Sequence, residues 1–109
     1  MSRERYGSVI GVRPETAERY EALHRSVPAA VLATIADCHN ENYSIFRHGD
    51  LLFAYFEYTG SDYSADMARM AADPATQAWW ELCRPLQYRI GDRAPGQNWL
   101  RLPEVFHTD

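Results

Sequence analysis

Two adjacent runs of aromatic and β-branched residues in the middle of the chain limit the folds open to it. The runs are Asn42–Arg47 (NYSIFR) and Leu51–Tyr58 (LLFAYFEY), and only His48, Gly49 and Asp50 separate them. Runs of this composition are typical of strands, and a three-residue connection that contains glycine is short enough for a β-hairpin. The sequence therefore predicts an antiparallel hairpin at the centre of the fold.

Before the hairpin, the sequence predicts one strand and one interrupted helix. Arg5–Val12 (RYGSVIGV) reads as a strand, and Pro14 suits the first position of a helix because its missing N–H has no partner to lose. Pro28 removes the N–H that would bond the carbonyl of His24, so the helix should bend or break beside His24. The inward face of this amphipathic helix is predicted to carry the residues that recur at three- and four-residue spacing, namely Ala17, Tyr20, His24, Val27, Val31 and Ile35.

After the hairpin, two helical segments are predicted. Ser61 or Asp62 can cap a helix that runs to about Ala72. Asp73-Pro74 then opens a second segment, ATQAWWELC, with the proline at its first position. The inner face of the first of these helices is expected to carry Met67, Met70 and Ala71.

The last part of the chain predicts a loop and a short strand. Gly91–Asn98 contains a Pro-Gly pair and is expected to be a loop, and Leu102–His107 (LPEVFH) is expected to be a strand whose start lies at an edge. The resulting βαββαβ order predicts an α+β fold of the ferredoxin-like type. It would be an antiparallel four-stranded sheet with the helices on one face, and residues 1–109 would form a single domain.

The face of the sheet without helices needs a partner. Depending on the register, it carries Phe53 and Tyr55, or else Ala54, Phe56 and Tyr58. Either set is too apolar to leave in water over a whole sheet. The simplest expectation is a homodimer that sandwiches two such sheets.

Composition excludes several function classes. The chain has 109 residues, 46% of them hydrophobic, which is typical of one globular domain. Its net charge of −4 and dispersed arginines argue against a nucleic-acid partner. No run is long enough to cross a bilayer, and the N-terminus has no apolar signal core. Cys38 and Cys83 lie far apart, so two buried thiols in a reducing cytoplasm are expected.

Tyr20 and His24 are the best candidates for proton chemistry. They stand four residues apart on the predicted helix, so their side chains leave the same face. Imidazole exchanges protons near neutral pH, and a phenol can donate or accept a hydrogen bond. The pair indicates acid/base chemistry on a polar small molecule. The competing interpretation is a histidine that is satisfied inside the core.

Further candidates are two adjacent indoles, one tyrosine and one histidine. Trp79 and Trp80 point about 100° apart on a helix, so they are not expected to line the same surface. They are either core residues or, in at least one case, part of a pocket wall, where an indole suits the C–H face of a sugar. Tyr43 is either a packed strand residue or a third pocket residue. His107 is expected at the surface unless the last strand brings it to the pocket.

Motifs for cofactors are absent from the sequence. The four histidines form no metal-binding motif with one another or with the cysteines. The sequence also has no glycine-rich phosphate loop and no serine elbow of the G-x-S-x-G type. The residues therefore favour a cofactor-free acid/base site or a simple binding pocket.

Several segments in the same order resemble the L-rhamnose mutarotase family: RYGSVIGV, RYEALH, NYSIF, LLFAYFEY, DMARMAADPATQAWW and LPEVFH. The resemblance covers nearly the whole chain and implies a small protein of the dimeric α+β barrel type that interconverts the anomers of L-rhamnose without a cofactor. It implies that His24, in a Tyr-x-x-x-His pattern, is the proton donor. It also implies that Tyr20, Tyr43, Trp79 and Trp80 contact the sugar.

The chain departs from the family pattern just after the histidine. The family typically has a Trp-Pro-Glu run where this chain has Pro28, Ala29 and Ala30. L-rhamnose is the default substrate, and another 6-deoxy sugar such as L-fucose stays open. Two other functions also stay open, namely a cofactor-free monooxygenase, by analogy of fold alone, and a non-catalytic sugar-binding module.

Overall fold

The computed structural model describes residues 3–91 and 98–109. It contains five strands, four α-helices and two single-turn 3₁₀ helices, at Pro14–Thr16 and Arg84–Leu86. The strands and α-helices follow in the order β1 (Glu4–Val12), α1 (Ala17–His24), α2 (Ala29–Asp37), β2 (Asn40–His48), β3 (Leu51–Tyr58), α3 (Tyr63–Ala72), α4 (Pro74–Cys83), β4 (Gln87–Tyr88) and β5 (Leu100–Leu102).

The strands form one antiparallel sheet with β1 and β3 at its centre. β3 pairs with β2 on one side, as the predicted hairpin requires, and with β1 on the other. β4 and β5 both pair with β1 and therefore share its remaining edge. The spatial order β2-β3-β1-β4 and the intervening helices confirm the predicted ferredoxin-like α+β fold.

The fourth strand position is divided between two short segments, which the sequence did not predict. Tyr88 lies opposite Gly11, and Leu100 lies opposite Val9, so the chain leaves the ladder after β4 and rejoins it at β5. Gly11 allows this pairing because a Cβ there would overlap the ring of Tyr88. Of the predicted loop at 91–98, residues 92–97 lie outside the described residues.

The predicted final strand at Leu102–His107 was wrong. The strand ends at Leu102, and residues 103–109 have no regular structure. The physical reason is Pro103, which has no N–H to continue the ladder on β1. The proline marks the end of the strand and not its beginning.

The predicted helix break at Pro28 is confirmed. α1 ends at His24, and α2 begins at Ala29 with Pro28 as its extended N-cap residue. Arg25, Ser26 and Val27 carry the chain from the end of α1 to Pro28 through a turn. The break makes His24 the last residue of α1 and so places it at a helix end.

The helices after the hairpin begin with aspartate caps. Asp62 accepts a hydrogen bond from the backbone N–H of Ala65 at the start of α3. The inner face of α3 differs in part from the prediction, because Ala71 is exposed and Asp66 is buried instead. This burial is possible because the carboxylate of Asp66 accepts from the hydroxyl of Tyr58, 2.5 Å away, and from two other side chains.

The main hydrophobic core lies between the sheet and the helices. The cluster contains buried residues of β1, α1, β3, α4 and the 3₁₀ turn that follows α4. Burying a large aliphatic side chain contributes about 1.5–3 kcal/mol. The buried members are Ile10, Val12, Ala17, Tyr20, Leu52, Cys83 and Leu86.

The register decides which residues lie on the open face of the sheet. Phe56 and Tyr6 are directly opposite each other and stack on the helix side, so the alternate residue Phe53 faces away from the helices. Phe53 is 37% exposed and its neighbour on β2, Phe46, is 65% exposed. No helix in the described part of the chain is long and apolar enough to cross a membrane.

Candidate active site

A cavity of about 580 Å³ lies between the helix side of the sheet and the helices. This volume is within the range of about 300–1,000 Å³ that is common for small-molecule sites. The cavity wall includes the five residues that the sequence indicated as candidates, which are Tyr20, His24, Tyr43, Trp79 and Trp80. The fold thus brings residues of α1, β2 and α4 to one cavity.

The imidazole of His24 contacts two aromatic rings. Tyr20, one helical turn earlier on α1, stacks on it with a centroid separation of 4.2 Å and an angle of 24°. The indole of Trp79 on α4 meets it edge to face at 5.0 Å. His24 is half-buried in this arrangement. The two contacts restrict the rotation of the imidazole and fix the direction of its nitrogens.

The tautomer of His24 follows from its backbone contact. Nδ1 lies 2.8 Å from the carbonyl oxygen of Tyr20. Because a carbonyl oxygen can only accept, Nδ1 carries a hydrogen and donates it. Nε2 is then the basic nitrogen of the neutral ring, and it has no hydrogen-bond partner among the residues that the structure describes. Proton exchange with a ligand must therefore take place at Nε2.

Burial keeps His24 neutral near neutral pH. Desolvation lowers the pKa of His24 below 6.5, and the hydrogen bond to the carbonyl of Tyr20 opposes this shift only in part. The neutral imidazole is consequently the main form at pH 7. It accepts a proton first and can donate that proton afterwards.

Tyr20 is buried, and its hydroxyl group is held by a hydrogen bond from Gln87. It is 3% exposed, and its phenol oxygen accepts a hydrogen bond of 3.2 Å from the amide of Gln87. Desolvation raises the pKa of Tyr20 far above 10.0, and the bond from Gln87 acts in the opposite direction. The phenol therefore keeps its proton. Gln87 lies on β4, the short strand that sequence patterns did not reveal.

A β-bulge brings Tyr43 to the helix side of the sheet. Glu41 is opposite Glu57, but Ser44 is opposite Tyr55, so two residues of β2 face one of β3. The extra residue reverses the side of the sheet on which Tyr43 lies. Asn42 makes the bulge possible with a φ of 51°, in the left-handed region that asparagine tolerates better than most residues.

The ring of Tyr43 lies flat against the sheet. It stacks on Phe56 of β3 with a centroid separation of 5.4 Å and an angle of 20°. Tyr43 is 43% exposed, so the side of the ring that does not touch Phe56 is open. The ring can therefore form part of a floor for a ligand.

The expectation that Trp79 and Trp80 face different surfaces was wrong. Both line the cavity, because its wall is concave and receives side chains that leave α4 in different directions. Trp79 also packs against the core, while Trp80 lies under the guanidinium of Arg84, with 4.6 Å between the ring centroid and the Arg84 ζ carbon. One indole supports His24, and the other extends the cavity wall.

His107 lies away from the cavity. Its side chain is near Asp109, with 2.9 Å between Nε2 and a carboxylate oxygen, on the tail that follows β5. It was expected at the surface, and the structure places it there.

In the described part of the chain, the cysteines form no reactive centre and no group of residues forms a metal site. Cys38 and Cys83 are both buried and free. Cys83 lines the cavity, but desolvation raises its pKa to about 11, so its thiol stays protonated. Among residues 3–91 and 98–109, no cluster of three or more His, Cys, Asp or Glu residues could hold a metal ion.

Sequence reasoning missed cavity residues that depend on strand register. Tyr6 on β1, Tyr63 at the start of α3 and Arg101 on β5 line the cavity together with Trp99. Alternation along Arg5–Val12 could have indicated Tyr6. Arg101 gave no such signal, because the last strand was predicted to begin one residue after it.

The fold and the cavity define the class of protein. The chain is an α+β protein of the ferredoxin-like, dimeric α+β barrel class, with a ligand-sized cavity under its helices. The sequence model of the L-rhamnose mutarotase family matches residues 5–108 of the chain. The chain belongs to the L-rhamnose mutarotase family, whose members are isomerases that act on carbohydrates.

Curated relatives extend over almost the whole chain. An L-rhamnose mutarotase of Oceanobacillus iheyensis is 29% identical over 97% of this chain and 99% of its own length. An L-rhamnose mutarotase of Phocaeicola vulgatus is 30% identical and matches 100% of both chains. An L-fucose mutarotase of Xanthomonas campestris pv. campestris is 33% identical over 97% of this chain and 89% of its own.

Solved structures show the same fold at lower identity. The crystal structure of an L-rhamnose mutarotase from Formosa agariphila has a TM-score of 0.76 and 20% identity, covering 97% of this chain and 99% of its own. Tetracenomycin F2 cyclase from Streptomyces glaucescens, a type II polyketide cyclase, has a TM-score of 0.62 and 18% identity, covering 96% and 95%. At these identities, the likeness shows the fold alone.

Proposed function

We propose that the protein interconverts the α and β anomers of L-rhamnose by acid/base ring opening. The observation that carries this proposal is the half-buried His24, whose ring is fixed by Tyr20 and Trp79 and whose Nε2 is open in the cavity. A neutral imidazole with one unpaired nitrogen can remove a proton from a hydroxyl and return it to a neighbouring oxygen. The names of the relatives support a sugar as the ligand.

The reaction needs one proton removed and one proton added. His24 Nε2 takes the proton of the anomeric hydroxyl, and the electron pair left on that oxygen forms the carbonyl as the C1–O5 bond breaks. The imidazolium then gives its proton to the ring oxygen, directly or through water. Rotation about C1–C2 and the reverse steps produce the other anomer.

The size of the expected rate gain fits one catalytic histidine. General acid/base assistance is typically worth about 10²–10⁴-fold. Mutarotation already proceeds in water, so a gain of this size is sufficient for the role. His24 acts as the proton donor to the ring oxygen, after it has accepted the proton from the anomeric hydroxyl.

The aromatic residues position the sugar beside His24. In this proposal, the hydroxyl of Tyr20 donates a hydrogen bond to a sugar oxygen, because its high pKa keeps it protonated. Tyr43, Trp79 and Trp80 supply apolar surface for the C–H faces of the ring. A fixed orientation lowers the entropic part of the barrier.

The choice of L-rhamnose as the substrate rests on the names of the relatives. L-rhamnose is the first choice because most of the compared relatives carry its name, while one relative is called an L-fucose mutarotase. The departure at Pro28, Ala29 and Ala30 removes a tryptophan and a carboxylate that the family typically has close to His24. A panel of L-rhamnose, L-fucose and their 6-hydroxy counterparts in exchange NMR would rank these substrates.

We also propose a cytoplasmic homodimer in which each chain is a single domain. The exposed Phe46 and Phe53 on the open face of the sheet support the dimer. The free thiols of Cys38 and Cys83 are consistent with a reducing compartment. Relatives matched over almost their whole length support one domain in residues 1–109.

Saturation-transfer NMR tests the proposal directly. The wild-type protein should transfer saturation between the two anomeric proton signals of L-rhamnose faster than buffer does. Glutamine is polar and similar in size to histidine, but it cannot accept and return a proton. His24→Gln should therefore reduce the enzymatic exchange by about 10²-fold or more. His48→Gln is the matched control, because His48 is exposed at the end of the hairpin and outside the cavity.

The outcomes separate the proposal from the other functions. Wild-type exchange that survives in His24→Gln would disprove the role of His24. Tight sugar binding with exchange no faster than in buffer would identify a binding module. Oxygen uptake with a quinol-like aromatic substrate, together with no effect on any sugar, would identify a monooxygenase.

A further inference from the structure

The cavity has a second polar corner, formed by Tyr6, Tyr63 and Arg101, where β1, α3 and β5 meet. The Arg101 ζ carbon lies 4.4 Å from the ring centroid of Tyr6 and 5.4 Å from that of Tyr63. Arg101 Nη2 also donates a hydrogen bond of 3.0 Å to the hydroxyl oxygen of Tyr63. We call these three residues the arginine corner. Arg101 is exposed, and these contacts place its guanidinium on the cavity wall.

Among the residues that the structure describes, Tyr63 is the one hydrogen-bond partner of the Arg101 guanidinium. Arginine has five N–H groups, and the contact with Tyr63 uses one of them. Within the described residues, no carboxylate lies within 4.0 Å of Arg101, whereas Arg3, Arg5, Arg47 and Arg69 each form an ion pair. A guanidinium whose other N–H groups have no partner among the described residues matches the paired oxygens of a carboxylate or a sulfate.

The pKa of Tyr6 responds to the charges around the arginine corner. Desolvation raises the pKa of Tyr6, the carboxylate of Glu4 raises it further, and Arg101 acts in the opposite direction. Glu4 therefore acts on Tyr6, but it forms no ion pair with Arg101. Within residues 3–91 and 98–109, no carboxylate pairs with Arg101, so its positive charge can attract an anionic ligand.

A continuous row of rings connects the arginine corner to the candidate active site. Tyr43 stacks on Phe56, Phe56 on Tyr6 and Tyr6 on Tyr63, with centroid separations of 5.4, 5.2 and 4.7 Å. His24 and Arg101 both line the same cavity of about 580 Å³, so a ligand whose anomeric end lies at His24 can extend along the row.

We propose that Arg101 binds an anionic oxygen group, a carboxylate or a sulfate ester, on a reducing sugar whose anomeric carbon lies at His24. This inference rests on the proposed function and widens its substrate class from neutral deoxy sugars to acidic saccharides. The chemistry permits the extension, because mutarotation requires only a free anomeric hydroxyl. Substituents at the other end of the sugar do not enter the reaction.

Matched sugars test the proposal with the wild-type protein. L-rhamnose is the neutral reference. L-mannuronate carries a carboxylate in place of its methyl group, L-rhamnose 4-sulfate carries a sulfate ester, and a disaccharide carries a uronate on a reducing L-rhamnose. Calorimetric titration should show at least one of the three anionic sugars binding about tenfold or more tightly than L-rhamnose, as expected for a charge-assisted pair.

Variants of Arg101 then test whether this residue causes the tighter binding of anionic sugars. Arg101→Gln should abolish the tenfold ratio for the preferred anionic sugar, and Arg101→Lys should retain part of it, because lysine keeps the charge but not the planar fork. Arg19→Gln, which makes the same change in net charge at an exposed position outside the cavity, should keep the ratio. Circular dichroism of each variant confirms that it is folded.

Two results would overturn the inference. One is a wild-type protein that binds none of the three anionic sugars more tightly than L-rhamnose. The other is a preference that survives in Arg101→Gln. Exchange NMR on the same samples reports on the proposed function separately, since calorimetry measures binding whether or not any sugar is turned over.

Discussion

At the scale of single residues, His24 gains its chemistry from its neighbours. Tyr20 supplies both a stacked ring and the carbonyl that fixes the tautomer, and both contacts follow from the spacing of four residues on α1. The indole of Trp79, which is distant in sequence, makes a T-shaped contact with the same imidazole. Local spacing therefore sets which nitrogen is basic, while tertiary packing sets how strongly the charged form is disfavoured.

The lowered pKa of His24 predicts the pH dependence of activity. Burial favours the neutral imidazole, so the form that the proposed mechanism requires persists to a lower pH than in a free histidine, whose pKa is 6.5. We expect enzymatic exchange, corrected for the spontaneous rate, to be constant near neutral pH. It should decrease as the pH falls through a midpoint below 6.5.

Two measurements check this expectation. The rate of saturation transfer as a function of pH gives the midpoint for activity, and the chemical shift of the His24 ring protons gives the pKa itself. A midpoint above 6.5 would contradict the assignment of the neutral ring as the starting form. His39, which lies against Asp66 and outside the cavity, provides a reference signal in the same spectrum.

At the scale of elements, caps and breaks place the side chains of the candidate active site. Pro28 ends the first helical segment so that His24 lies at its last position. Asp73 begins α4, which carries both tryptophans. Its carboxylate accepts from the N–H of Thr76 at 2.9 Å, from the hydroxyl of the same residue at 2.8 Å and from the hydroxyl of Thr34 at 3.1 Å. The cap therefore also ties α4 to α2.

Removing the Asp73 cap should destabilise the protein. Asp73→Ala leaves the backbone N–H of Thr76 without its side-chain acceptor, and we expect the melting temperature to fall by about 4–8 °C. Asp73→Asn should retain most of the stability, because asparagine is an equally good N-cap residue. Thermal unfolding followed by circular dichroism measures both. An Asn variant as unstable as the Ala variant would show that the charge, and not the cap, matters.

At the scale of the whole molecule, the open face of the sheet is the feature that the single chain leaves unsatisfied. Phe53 lies opposite Phe46 on β2 and opposite Val9 on β1, so apolar residues continue across three strands. On the tail after β5, Val105 and Phe106 are also largely exposed. An apolar surface of this kind is typical of an interface.

A charge on this face should separate the proposed dimer. Phe53→Lys places an ammonium where the partner sheet would lie, and we expect the variant to sediment as a monomer under conditions in which the wild-type protein sediments as a dimer. Leu82→Lys is the control, because Leu82 is exposed on α4, away from the sheet and outside the cavity. A wild-type monomer, or a Phe53→Lys dimer, would contradict the proposed assembly.

The shared fold limits what architecture alone can say about function. A polyketide cyclase has the same fold as this chain, so the chemistry depends on the side chains in the cavity. The family match and the position of His24 carry the functional argument, and the sheet and helices provide the frame.

The sequence by itself determined the features that depend on near neighbours. The hairpin, the break at Pro28, the aspartate caps and the common face of Tyr20 and His24 follow from periodicity and from the chemistry of proline and aspartate. These features involve residues within about one or two turns of each other. Side chains at such short range compete with few alternatives, so local rules suffice.

Only the tertiary structure decided the features that depend on register. The bulge at Asn42 turns Tyr43 toward the helices, and the divided fourth strand places Gln87 and Arg101 on the cavity wall. A shift of one residue moves every side chain of a strand to the opposite face of the sheet. The free energy that selects one register comes from contacts between distant segments, and no local pattern records it.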